Sequence, residues 1–323
     1  MYFSLVEWNR AKTHGRIGEL RSLIRDHAGD GEETAIEGVL VSAATVSDEP
    51  RTLPSGTVMA LIAQGAKRLA IGERTYEYEA GQYFVASVDL PVTGHYSKAS
   101  PDEPALGFGL VLRPDRIAPL LLGYPDDGPT NGPEPGRRSP TPPALGVADA
   151  TPEMLDAAIR MLRLIDHPDD HEVLAPMIER EILWRMLNGP LGETVRQIGL
   201  TDSSLTHISH AVRWISAHYD EPFRVDDLAR SCDMSVSAFH RNFRAATALS
   251  PIQFQKQIRL QKSRLMLMAG SSDVATVAFR VGYDSASQFN REYRRRFGLS
   301  PGRDAARLRR TPDPEAIAAS GPD

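Results

Sequence analysis

Apolar positions fall into distinct patterns along the chain. Near the start, Ile17, Leu20, Leu23 and Ile24 lie at helical spacing and predict a short helix within residues 1–29. From 34 to 112 the pattern changes to short runs: Ile36–Val41, Val58–Ala63, Arg68–Ile71, Thr75–Tyr78, Gln82–Ala86 and Leu106–Leu112. Gly, Pro, Asp and Ser separate them, and Gly72-Glu73 reads as a turn. Short strands with frequent turns predict an antiparallel sandwich or small barrel. Arg113–Leu122 predicts one short helix. Pro125–Gly146 carries seven prolines and four glycines and predicts a loop without packed elements. Helical spacing returns after Thr151-Pro152, a cap followed by proline in the first turn. Leu155, Ile159, Leu162 and Ile165 form one stripe; Ile178, Ile182 and Leu183 form a second that stops at Asn188-Gly189-Pro190. Residues 191–205 read as a linker.

From Thr206 onward the pattern is helical and repeats itself. Val225, Leu228, Ala229 and Cys232 sit at i, i+3, i+4, i+7, and Val274, Val277, Ala278 and Val281 do the same 49 positions later. A short turn follows each, and then Ser235 and Ser285 stand as N-caps. Past the turn the offset is 50: Phe239 matches Phe289, Arg241 matches Arg291, and Leu249-Ser250-Pro251 matches Leu299-Ser300-Pro301. Short helix, turn, capped second helix is the helix-turn-helix unit. Phe239 and Phe243, like Phe289 and Tyr293, point inward. The flank beside them shows Ser237, His240, Arg241 and Arg244 in one copy, and Ser287, Asn290, Arg291 and Arg294 in the other. Such side chains reach base edges and phosphates in a major groove. Pro251–Met268 predicts a connecting helix whose 18 residues span ~27 Å. Successive major grooves on one side of a duplex lie about 34 Å apart, so one chain is expected to reach two of them.

Charge changes the picture once it is divided. The 323 residues carry a formal net charge of −5, which alone argues against a nucleic-acid partner. Residues 1–200 hold −10 and residues 201–323 hold +5; within 206–310 the surplus is +9. No apolar run approaches the ~18 residues of a membrane span. The first residues lack a signal pattern, so a cytoplasmic bacterial protein with no membrane partner is expected. One cysteine excludes a disulfide framework and a Cys-based zinc site. Cys232 lies on an apolar stripe and reads as an inert core thiol.

At Val225–Arg244, Ser250–Met268 and above all Val281–Arg303 (VGYDSASQFNREYRRRFGLSPGR) the sequence resembles the AraC/XylS family of bacterial transcription regulators, over roughly residues 206–310. Ala63–Lys67, Tyr76–Tyr78, Gly81–Tyr83 and Ser87–Val92 are similar to the AraC-type N-terminal domain, over about residues 20–190. The resemblance implies an α+β chain. Its N-terminal part would be a cupin-like antiparallel β-barrel (about 34–112) with flanking helices (about 152–187), for effector binding or dimerisation. An all-α domain with two helix-turn-helix units (206–310) would follow, and 311–323 would be a disordered tail.

The expected function is that of an effector-responsive, sequence-specific transcription regulator, not an enzyme. Its expected partners are double-stranded promoter DNA, a small molecule, a second copy of itself and, if it activates, RNA polymerase. By position, the family's base-reaching residues correspond to Ser237, His240, Arg241, Ser287, Asn290 and Arg291. Arg244 and Arg294 flank them, and the run Arg294-Arg295-Arg296 offers phosphate contact.

Two other readings stay open: a cupin-type metalloenzyme fused to a DNA-binding module, and a constitutive regulator whose first domain only dimerises. Region 34–112 has one histidine, His95, and His167 and His171 flank Pro168-Asp169, a turn; no metal, cofactor or catalytic site is expected. Gln64 and Lys67 are the candidate effector contacts, weighed against a plain turn between strands. Tyr76, Tyr78, Tyr83 and Phe84 read as core and rim.

Overall fold

A computed structural model describes residues 5–29, 31–46, 51–54, 57–71, 74–88, 90–123, 143–200, 204–270 and 273–310. The Gly72-Glu73 turn, most of the proline-rich segment and the tail 311–323 lie outside the described residues. Contacts divide the chain into two compact units: residues 1–212 with 232–249, and residues 213–231 with 250–323.

The first unit opens with helix α1 (Leu5–His27), whose Ile17, Leu20 and Ile24 are buried. Among the described residues nine strands follow: β1 (Val39–Ala44), β2 (Arg51–Pro54), β3 (Val58–Gln64), β4 (Ala66–Ile71), β5 (Arg74–Glu79), β6 (Gln82–Ala86), β7 (Pro91–Lys98), β8 (Ala105–Val111) and β9 (Leu145–Asp149). Every pairing is antiparallel. They form two sheets, ordered β1-β8-β3-β6-β9 and β2-β7-β4-β5. No described strand pairs across from one sheet to the other, so the antiparallel sandwich or small barrel expected here is two sheets that do not close on each other.

The burial patterns give the reason. Strand β8 is buried along nearly its whole length, as a strand covered on both faces must be. Helices lie on one side of its sheet, where Met59, Leu61, Val85 and Leu110 share a core with α1. Across the other face, Tyr78 of β5 stacks on Phe84 of β6 at 5.6 Å. Strand β5 buries one face only.

Helix α2 (Pro114–Gly123) follows β8. After β9 come α3 (Pro152–Arg163), two short 3-10 turns, and α4 (His171–Leu187). Thr151 caps α3 by accepting from the Met154 amide at 3.2 Å. The expected linker 191–205 is not one: Gly192–Gly199 forms helix α5, and its Val195 and Ile198 enter the same core. These eight residues pack as a helix against α2 rather than running free between domains.

Helices α6 (Ser204–Ala217), α7 (Val225–Ser231), α8 (Val236–Thr247), α9 (Pro251–Met268), α10 (Val274–Arg280), α11 (Ala286–Phe297) and α12 (Pro301–Arg310) complete the described residues. The repeat sets their boundaries. Ser235 and Ser285 cap α8 and α11, accepting from Ala238 N and Gln288 N. Ser250 and Gln253 form a capping box before α9. Both α8 and α11 end on a left-handed residue, Ala248 and Gly298.

Candidate functional site

Helix α8 buries Phe239 and Phe243 completely. Ser237, His240, Arg241 and Arg244 are exposed on it. Cys232, just before it, is buried and donates to His207 O at 3.3 Å, as a core thiol should.

The second unit shows how the other candidate helix is held. Val277 and Ala278 of α10 meet Phe289 and Tyr293 of α11, with Leu260 of α9 and Ala305 of α12 in the same core. Phe289 and Tyr293 are in edge contact at 5.5 Å. Buried polar links then fix the angle of α11. The Glu292 carboxylate accepts from Lys256 Nζ of α9 at 2.8 Å and from Tyr283 OH at 2.9 Å. Burial alone would raise its pKa, but these hydrogen bonds outweigh it and hold the carboxyl below the usual range. Asp304 of α12 is fully buried and accepts from Arg264 Nε at 2.8 Å and Tyr293 OH at 2.9 Å. Here too hydrogen bonds overcome desolvation, and the carboxyl stays below its ordinary value. Arg259 of α9 donates to four carbonyls, those of Tyr219, Asp220, Glu221 and Gly282. It thereby clamps the turn between α10 and α11.

That frame leaves one face of α11 bare. Ser287, Asn290, Arg291 and Arg294, at i, i+3, i+4 and i+7, are exposed. Among the described residues, none of Arg241, Arg244, Arg291 or Arg294 pairs with a carboxylate. Asn290 Nδ2 donates one of its two hydrogens back to Ala286 O at 2.9 Å, which leaves the second to donate elsewhere. Within the run 294–296, Arg294 and Arg295 are exposed, whereas Arg296 is half-buried beside Arg264, and burial lowers its pKa. Only the first two project into solvent.

A cavity of about 270 Å3 lies between the two sheets of the first unit. Lys67, Tyr78 and Tyr96 stand side by side on β4, β5 and β7, since Lys67 is in register with both tyrosines. All three line the cavity, with Phe84, Leu69 and Ile62 among its apolar walls. Lys67 Nζ sits 4.9 Å from the Tyr96 ring centre, and Tyr96 OH bonds Ser42 Oγ at 3.0 Å. Tyr78 and Phe84, read as core, thus serve as core and cavity wall together.

Gln64 is not in the cavity. Its amide donates to Pro104 O at 2.7 Å and accepts from Arg21 at 3.3 Å, because the register shift between Ile62 and Gln64 in β3 turns it outward. Tyr96 was missed because β7 contains Pro91 and Gly94 and does not read as a strand. Elsewhere, His171 bonds Leu164 O at 2.6 Å. Among the described residues no cluster of three metal-binding side chains forms, and no helix is long and apolar enough to cross a membrane.

Two families of known proteins match parts of the chain. The family of AraC-type transcriptional regulator N-termini matches residues 35–194, and a helix-turn-helix domain matches residues 228–307. The transcriptional activator RhaS of Escherichia coli is 25% identical over 148 residues, 46% of this chain and 53% of RhaS. The chain thus matches about half the length of such curated relatives. The DNA-binding domain of AdpA, solved with a target DNA, is 31% identical, covering 32% of this chain and 93% of that one with a TM-score of 0.31. ToxT of Vibrio cholerae, solved with an unsaturated fatty acid, is 12% identical, covering 85% and 96% with a TM-score of 0.48. With the two matched segments in this order along one polypeptide, the chain belongs to the AraC-type transcriptional regulators.

Proposed function

We propose that this regulator binds promoter DNA through α8 and α11 and is governed by a small molecule held in the cavity of its first unit. The observation that carries the DNA reading is the repeated outward face, Ser237, His240, Arg241 and Arg244 on α8 and Ser287, Asn290, Arg291 and Arg294 on α11. Each copy stands opposite a buried aromatic pair and ends in arginines with no anionic partner among the described residues. Arg241 and Arg291 are the base-reading residues, and Arg244, Arg294 and Arg295 meet phosphates. The domain division follows the same reading, with sensing and dimerisation before about residue 200 and DNA binding over 206–310.

The partner in dimerisation is a second copy, through α4. Val173, Met177 and Trp184 are exposed at 65%, 63% and 38%, and with Arg180 they occupy positions i, i+4, i+7 and i+11. That is a coiled-coil seam. It is self-complementary when two copies run antiparallel, since Val173 then faces Trp184 and Met177 faces the Arg180 stem. The protein acts in the cytoplasm, with RNA polymerase as partner where it activates.

Gel-shift titration of the purified chain against genomic fragments, repeated across salt concentrations, tests the DNA reading. The expected result is selective retention of a few fragments, with affinity falling linearly on a log-log salt plot. Equal retention of every fragment, or affinity indifferent to salt, contradicts it.

A further inference from the structure

We propose that the cavity ligand is a small monocarboxylate with an apolar body, its carboxylate held by Lys67, Tyr78 and Tyr96. This rests on the reading of the cavity as the effector site and names its chemistry.

The polar end of the cavity is rich in donors. Among the described residues Lys67 forms no ion pair, although it is only half exposed and its ammonium lies over the Tyr96 ring. A half-buried cation with only a ring face for company has hydrogen-bonding capacity to spare. Tyr78 is 1% exposed and lines the cavity beside Lys67. Burial, then the neighbouring Tyr96 and Glu32, push its pKa above the ordinary phenol value, so it stays a neutral donor. Tyr96 OH, 3.0 Å from Ser42 Oγ, adds a third hydroxyl to the row.

One group on the ligand must therefore accept several hydrogen bonds and balance one positive charge. A carboxylate, with two oxygens and about four acceptor sites, does both. Glu32 is the acidic residue of the lining, and it is exposed and unpaired with Lys67. It disfavours a second negative charge on the ligand near that edge. The rest of the wall is hydrocarbon and aromatic, so the body of the ligand is apolar. At ~30 Å3 for each displaced water, the volume of about 270 Å3 holds a molecule of about ten non-hydrogen atoms.

The test uses the full chain and calorimetric titration with octanoate and cyclohexanecarboxylate, set against octanol and cyclohexylmethanol. Melting temperature is recorded alongside. The acids are expected to bind and to raise the melting temperature, with the matched alcohols at least about tenfold weaker, as befits loss of a charge-assisted hydrogen bond. In Lys67→Met the preference for acid over alcohol disappears, and in Tyr78→Phe it shrinks. Because the preference is measured within each variant, a general loss of stability does not imitate it. Alcohols that bind as tightly as acids, or an acid preference that survives in Lys67→Met, overturn the carboxylate assignment and leave the effector reading standing. If neither acids nor alcohols bind at millimolar concentration, the assignment and the effector reading of the cavity both fall.

Discussion

Arg241 and Arg291 occupy the same place in the two copies of the repeat, and both project from the side of a helix opposite a fully buried phenylalanine. A bidentate arginine on a base edge is worth about 1–3 kcal/mol of discrimination. Arg241→Ala and Arg291→Ala are each expected to weaken specific binding by about that amount in a gel-shift titration, with the melting temperature unchanged. Arg296→Ala should do the reverse. Its side chain is half-buried, so stability falls while the selectivity of the remaining protein for its DNA holds. Equal losses of affinity for all three variants would erase this distinction. The sequence could not supply it, because three consecutive arginines look alike until tertiary packing turns one inward.

At the scale of elements, the second helix-turn-helix is set by its turn and its buried carboxylates. Gly282 has φ +85, and a Cβ there would lie 2.2 Å from Asp220 O, whereas Gly298 has φ +76 with open space around it. Gly298→Ala should therefore cost only the left-handed penalty of roughly 1–2 kcal/mol, and Gly282→Ala substantially more, as read by urea denaturation. Equal losses would mean that the turn yields without resistance.

Asp304→Ala removes the acceptor from a buried arginine pair, a change expected to cost about 3–5 kcal/mol. The carboxyls of Asp304 and Glu292 are both held below their ordinary values. Their contribution is thus fully present above the unfolded carboxylate range near ~4 and is lost as pH falls through the lower folded values. In acid titrations followed by circular dichroism, Asp304→Asn should lose less stability than the parent as pH drops below that range.

These elements were unequally legible. The repeat located α7 through α11 almost to the residue, because caps and apolar spacing agree there. Strand β6 was read correctly at Gln82–Ala86, but β2, β7 and β9 were missed. Pro91 and Gly94 interrupt β7, and β9 is five residues at the end of a proline-rich stretch. Sheet closure was not legible either. Whether strands join into a barrel depends on pairings between distant segments that period-2 alternation does not encode. The cavity row Lys67, Tyr78 and Tyr96 is likewise a product of register, invisible in a linear reading.

For the whole molecule, the whole-chain charge of −5 conceals a basic segment with an excess of nine over residues 206–310, and the exposed Val173, Met177 and Trp184 on α4 are the dimer contact proposed above. Met177→Glu is expected to shift the chain from dimer to monomer in sedimentation at micromolar concentration and to weaken binding to a two-site fragment more than to a single site. An unchanged mass would remove α4 from the interface.

The central claim is that one chain reads DNA with two recognition helices, and methylation-interference footprinting on a selected genomic fragment tests it most directly. The account predicts two sensitive major-groove segments per chain, about one helical turn of 10 base pairs apart. Arg241→Ala should abolish one and Arg291→Ala the other. A single segment, or one set of bases lost alike in both variants, would contradict it.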